Sequence, residues 1–398
     1  MVQLPRAQFR IAFFGTDRFS MYSLHKLHAN LHGPSQSRIV RDLTIITPPD
    51  APSQRGLQLR PCPVKSFALD HSIPVFQPTN PKTIRDWKPE FLSAPRPNSI
   101  TLDSSIQTTE RSSNHDDDNP DGGGDAIGDQ NKKKQEHNTR GHAFDLAVVV
   151  SFRYLIPYHI ISAFRLGGIN VHPSLLPQFK GPAPIHHTIL NGESTTGVSI
   201  IDLDPVSFDV GRVLDRCEVP IENPKAVRYP LLEDHLGHLG ADRMMYVIQK
   251  MSDLNARLPG STQDELPQPV NMVFARKISK QMHHLQFSQL SAVDVDRRFR
   301  ALAHSHVFGV LDGIRVRLLD LAPCEDSSAT QILSGIPGSA VFHTDAILVR
   351  CTDGSVVAIK ELQMEGKRAV SAKDFFHGYQ NKIKRAGVMD QSRIMEFQ

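Results

Sequence analysis

Two side chains in the stretch Gly168-Ile169-Asn170-Val171-His172 have the types and the spacing for chemistry: the amide of Asn170 and the imidazole of His172. Two residues apart in an extended segment, they turn to the same side and can point into one cleft. The amide can donate a hydrogen bond to an oxyanion while the imidazole takes or returns a proton, a combination suited to acyl transfer. Pro173, Pro177, Gly181, Pro182 and Pro184 follow closely and argue against a helix through the next loop.

The elements that must position this pair are legible on either side. Leu146-Ala147-Val148-Val149-Val150 is an apolar β-rich run, as expected of a strand buried on both faces. Arg10 to Phe14 reads as a strand, Gly15-Thr16-Asp17 as a tight turn and Phe19 to His28 as a helix, a βα opening of the doubly wound kind. No G-x-G-x-x-G accompanies it, so Gly15 reads as turn geometry. Further strands are expected over Asp42 to Ile46 and Gly197 to Ile201, with a helix ending over Ala241 to Met251. Leu254 to Pro269 is rich in Pro, Gly and Ser.

The totals bound the class. At 398 residues two domains are expected. The chain is 39% hydrophobic and 22% charged with a net charge of only +3, too small to argue for nucleic acid by itself. Cys62, Cys217, Cys324 and Cys351 lie far apart and form no C-x-x-C pair, which suits a reducing compartment without a zinc site. No apolar run approaches the roughly 18 residues needed to cross a bilayer, so no membrane partner is expected. His186 and His187 are adjacent and would diverge by about 100° on a helix. His235 and His238 have no third ligand nearby; all four read as surface residues, and no metal is expected.

The central stretch, NVHPSLLPQFKGPAPI, resembles the signature of the methionyl-tRNA formyltransferases. Its N-V-H-P-S-L-L-P part is shared with formyltransferases acting on small amines, and GPAPI favours the tRNA-directed branch. RIAFFGTDRFS resembles that family's opening, with Asp17 where proline is usual. Phe208-Asp209-Val210-Gly211 resembles its second catalytic motif, which implies Asp209 as the carboxylate that orients and charges His172. Asp202, Asp204 and Asp215 nearby read as solvated strand or turn residues. The resemblance implies 10-formyltetrahydrofolate as the folate donor and initiator methionyl-tRNA as the acceptor partner. It places Phe152, Tyr154, Leu155 and Ile156 of SFRYLIP at the pterin pocket, with Ser174, Leu175, Leu176 and Pro177 beside the donor. Arg153 stands where that loop usually carries glycine, and Arg212 where an acid is common.

The Pro-rich loop TPPDAPSQRGLQLRPCPV resembles the loop by which that family approaches its acceptor, and the resemblance implies Arg55 and Lys65 as phosphate contacts. Lys367 and Arg368 resemble the basic turn of a C-terminal domain built as an open β-barrel of the oligonucleotide-binding type. Gly366 to Ala386 carries six Lys or Arg against one Asp, as a backbone-tracking patch requires. Ala303-His304-Ser305-His306 replaces that domain's usual aromatic-rich segment.

The expected architecture is therefore α/β, a doubly wound, mostly parallel, Rossmann-like sheet followed by a smaller β-barrel. Residues 1–255 form the catalytic domain, 256–269 a linker and 270–398 the tRNA-binding-like domain, in a monomer. Residues 93–140, polar and rich in Asp, Gly and Lys, read as a disordered insertion that interrupts no motif. Arg6 and Arg10 in MVQLPRAQFR read as ordinary flanking charges, and the mitochondrial matrix is expected from the resemblance alone. A formyltransferase acting on a small amine and a silent RNA-binding relative are the alternatives.

Overall fold

The computed structural model describes residues 7–52, 59–80, 82–92, 142–325, 333, 335–385 and 395–397. Arg55 and the insertion at 93–140 lie outside the described residues. In chain order the first half runs β1 (Phe9–Gly15), α1 (Arg18–Leu31), β2 (Val40–Ile46), the short hairpin β3 (Ala51–Pro52) and β4 (Leu59–Arg60), α2 (Pro63–Asp70) and β5 (Val75–Phe76). After the insertion come β6 (Leu146–Val150), α3 (Tyr158–Ile161), β7 (Gly168–His172), α4 (Pro184–Asn191), β8 (Thr195–Asp202), β9 (Val213–Pro220) and α5 (Tyr229–Leu254).

These strands form one sheet in the order β5-β2-β1-β6-β7-β8-β9. The pairings from β5 to β7 are parallel, and β8 and β9 add an antiparallel edge. Alternation along β1 and β6 feeds two apolar layers. Ile11, Phe13, Val148 and Val150 join the layer under α1 and α5, which holds Leu24, Leu27, Met244 and Ile248. Ala12, Phe14, Ala147 and Val149 join the opposite layer with Ile160 and Phe164. Every residue of β6 is buried, as its uninterrupted apolar sequence requires.

The second half has α6 (Ala292–Leu302), β10 (Phe308–Leu311), β11 (Ile314–Pro323), β12 (Ser339–His343), β13 (Ala346–Arg350), β14 (Val356–Met364), β15 (Val370–Ser371), α7 (Ala372–Arg385) and β16 (Met395–Glu396). Its antiparallel sheet runs β10-β11-β14-β13-β12-β16, and a bridge between Leu311 and Phe397 brings the two edges together. The expected doubly wound sheet and barrel are both present.

The seam between the halves is packed. Apolar residues from Phe9 to Phe397 belong to one continuous core. At the seam, buried Arg300 of α6 donates to the carbonyls of Pro224 (3.2 Å) and Val227 (3.0 Å) while pairing with Asp296 at 2.8 Å. Residues 256–269, expected as a linker, are held against the first half: Val213 and Ser261 exchange both backbone hydrogen bonds, at 2.8 and 3.1 Å.

Candidate active site

β7 lies where the sheet changes from parallel to antiparallel, with Asn170 opposite Val149 on one side and Ile201 on the other. His172 closes the strand opposite Ser199, whose buried hydroxyl donates to Ser174 O (2.8 Å) and accepts from Leu176 N (3.1 Å). The proline-rich loop is thereby stapled to β8. At its far end Gly181 has φ +126°, and a Cβ there would lie 2.6 Å from the Ala275 carbonyl, so only glycine fits.

Asp209 comes from the loop between β8 and β9, with φ +56°. Two residues on, a Cβ at Gly211 would overlap the Asp202 carbonyl, so the loop closes only with glycine there. The carboxylate reaches the other two residues. Its Oδ1 accepts from Asn170 Nδ2 at 3.2 Å and lies 3.5 Å from His172 Nδ1, while Oδ2 accepts from Gly181 N at 3.2 Å. Burial alone would raise its pKa, but the His172 imidazole, the Gly181 N–H and the Lys180 charge together hold it below the ordinary carboxylate value.

His172 is buried, and its Nε2 faces the Phe179 carbonyl at 3.1 Å. Both ring nitrogens thus face acceptor oxygens, the Asp209 carboxylate and the Phe179 carbonyl. An ionised carboxylate, an imidazole and an amide with a second N–H to give form one constellation able to stabilise an oxyanion and move a proton. Sequence reasoning missed the Phe179 carbonyl and the Gly181 N–H, since backbone groups carry no residue-type signal. It also missed the exposed apolar rim of Val206, Phe208 and Val210 around Asp209.

The other expected site residues are spread more widely. Phe152, Tyr154 and Ile156 are buried in the second apolar layer, where Phe152 meets Phe14 edge-on at 5.3 Å; Leu155 is half-buried. Ser174, Leu176 and Pro177 are buried in the loop's own scaffold, and Leu175 is half-buried. Lys65 is only 19% exposed and bonds Asp50 (2.8 Å) and Gln77 (2.8 Å), at the base of the β3–β4 hairpin. Lys367 and Arg368 are exposed on the turn between β14 and β15.

Two expectations need correction. Asp202 and Asp215 are not solvated: Asp202 is buried against Arg212 (2.7 Å) and Arg257 (3.2 Å), and Asp215 pairs with Arg243. This also accounts for Arg212, which neutralises Asp202 instead of facing the site. His186 is not a surface residue, because its ring packs against Tyr229 (4.1 Å) and His304 (5.5 Å) in a three-ring cluster across the seam, in which Tyr229 and His304 stack at 4.2 Å. Burial first, then the neighbouring histidines, push the His186 pKa down to about 3. Among the described residues no group of three or more His, Cys, Asp or Glu is arranged to hold a metal. Within the same residues no helix is long and apolar enough to cross a membrane.

The formyl transferase family model matches residues 9–229, and the formyl transferase C-terminal domain model matches residues 277–380. The chain belongs to the formyl transferase family. It is 29% identical over 378 residues to the human mitochondrial methionyl-tRNA formyltransferase, covering 93% of this chain and 77% of that one. It is 30% identical over 384 residues to the methionyl-tRNA formyltransferase of Methylococcus capsulatus, covering 95% and 99%. Among solved structures, a sugar 3N-formyl transferase crystallised in the presence of dTDP and 5-N-formyl-THF shares the fold, with TM-score 0.51 and 15% identity over 91% of this chain and 99% of that one. Asn170, His172 and Asp209 all fall inside the formyl transferase match over residues 9–229.

Proposed function

We propose that this formyl transferase moves the formyl group of 10-formyltetrahydrofolate to the α-amino group of methionine on initiator tRNA. The observation that carries it is the meeting of Asp209, from the β8–β9 loop, with Asn170 and His172 of β7 within 3.5 Å. Likeness along almost the whole chain to methionyl-tRNA formyltransferases supplies the acceptor.

In the reaction the amine lone pair attacks the formyl carbon and the carbonyl electrons move to oxygen. Asn170 donates to that oxyanion with the N–H not spent on Asp209, and the charged His172 ring adds its field. Collapse re-forms the carbonyl and breaks the bond to N10 of the folate. One proton leaves the amine and one arrives at N10: the His172 ring gives its proton to N10 and takes the amine proton in exchange. Asp209 keeps the ring oriented and balances its charge throughout.

The donor lies along the Phe152–Ile156 and Ser174–Pro177 segments. The acceptor backbone is followed by Lys367 and Arg368 on the barrel, and by Arg55 and Lys65 of the Pro-rich segment. The work is done by a monomer in the mitochondrial matrix, a placement supported by relatives named as mitochondrial methionyl-tRNA formyltransferases.

Purified protein is incubated with a labelled formyl donor and either methionyl-tRNA or free amino sugars and small amines. Label on methionyl-tRNA alone is expected; label only on small amines overturns the acceptor, and no transfer overturns the reaction. A tagged chain is expected in mitochondria, and a diffuse cytosolic signal would overturn the location.

A further inference from the structure

We propose that Gln263, on the segment joining the two halves, is a positioning residue that holds the Asp209 loop in its working conformation. Resting on the formyl-transfer reading, this gives the joining segment a part in catalysis. Gln263 is buried, and its Nε2 donates to two carbonyls of that loop, Asp209 O at 2.8 Å and Gly211 O at 3.1 Å. Those two residues flank the turn that Asp209 enters with φ +56°, a conformation a non-glycine residue keeps only when its surroundings enforce it.

The Gln263 backbone is itself fixed. Ser261 pairs with Val213, Thr262 N donates to the Glu265 carboxylate at 2.7 Å in a capping box, and Gln268 Nε2 donates to Gln263 O at 2.8 Å. Its Oε1 is buried with no hydrogen-bond partner. The side chain is therefore seated for its two donor contacts at the expense of its acceptor. Neither a hydrocarbon nor a carboxylate can replace an NH2 group that faces two carbonyls.

The test uses full-length Gln263→Ala and Gln263→Glu. In Gln263→Ala, kcat for formyl transfer is expected to fall roughly 10- to 100-fold with KM for the donor unchanged, the loss expected when two neutral hydrogen bonds cease to restrain the site. The Asp209 carboxyl, followed by carbon NMR in the free protein, is expected to titrate at higher pH than in wild type, because its contacts loosen while its burial remains. Gln263→Glu is expected to be slower than Gln263→Ala at pH 8 and to regain rate as the pH falls, once the protonated carboxyl can again donate.

Wild-type kcat and wild-type Asp209 titration in Gln263→Ala would overturn the proposal, whatever happens to its melting temperature. The NMR titration needs no substrate. If wild type transfers no formyl group, the catalytic reading fails while the hold of Gln263 on Asp209 is still measured.

Discussion

Replacing Asp209 by Asn is the sharpest perturbation of the site. The carboxylate accepts on Oδ1 from Asn170 and on Oδ2 from Gly181, with His172 Nδ1 3.5 Å from Oδ1. An amide has one acceptor oxygen, so its NH2 must confront either the Asn170 amide or the Gly181 N–H, donor against donor. The charge is lost as well. A unit positive charge developing on the ring, 3.5 Å from the carboxylate, would be attracted by about 5 kcal/mol at an effective dielectric near 20. Burying the carboxylate offsets part of this, leaving on the order of 3 kcal/mol to support positive charge on the ring during transfer, or roughly 150-fold in kcat.

The pH behaviour has a definite sign. The Asp209 pKa is held below the ordinary carboxylate value. Its stabilisation is therefore present above that ordinary value, near 3.9, and is lost as pH falls through the lower folded-state pKa. Asp209→Asn should lose this acid-side term. The assay is formyl transfer at saturating donor and acceptor, with melting curves from pH 3 to 8. A folded variant whose kcat stays within fivefold of wild type would refute the role given to Asp209.

Asn170→Ala removes one oxyanion donor and should lower kcat by about 100-fold or more with the melting temperature little changed, measured by steady-state formylation. Lys367→Ala with Arg368→Ala should raise KM for methionyl-tRNA at constant kcat and make the salt dependence of binding shallower by about one to two charges, checked by binding titrations at several salt concentrations. His186 stays neutral down to about pH 3 when folded but takes a proton near pH 6.5 when unfolded. Stability should thus fall by at most about 1.4 kcal/mol per pH unit below pH 6.5, and His186→Phe should flatten that slope in denaturant melts. Arg300→Ala frees the Pro224 and Val227 carbonyls and leaves Asp296 unpaired at the seam. A loss of about 3 kcal/mol is expected by denaturant unfolding.

How much the sequence disclosed depended on whether the information lay in side-chain type. The strand pattern of β1 and β6 and the two-residue spacing of Asn170 and His172 are periodic signals, and they appear where the pattern put them. The convergence of Asp209 was legible only through the resemblance of its motif, because four acids share that segment and nothing local distinguishes the one that turns inward. Asp202 and Asp215 looked solvated because their partners, Arg257 and Arg243, come from later parts of the chain. The same limit hid His186, whose burial depends on Tyr229 and on His304 from the second half. Backbone contributions such as the Phe179 carbonyl left no trace in composition.

The joining segment shows why the two halves act as one unit. Beyond Gln263, the chain runs back along the catalytic loop: Phe179 N donates to Val273 O at 2.9 Å, Ala275 N to Lys180 O at 2.8 Å, and Ala183 N to Ala275 O at 3.2 Å. These contacts bracket Gly181, whose N–H holds Asp209, and Phe179, whose carbonyl meets His172. Cutting the chain after Pro269 would remove the partners of the catalytic loop together with the barrel. Loss of activity in such a fragment could not be assigned to lost tRNA binding. Charge removal at Lys367 and Arg368 leaves residues 271–276 in place, so a rise in KM for methionyl-tRNA without a fall in kcat separates the barrel's grip on the acceptor from the chemistry. A fall in kcat there would mean that the barrel reaches the catalytic loop through more than this strap.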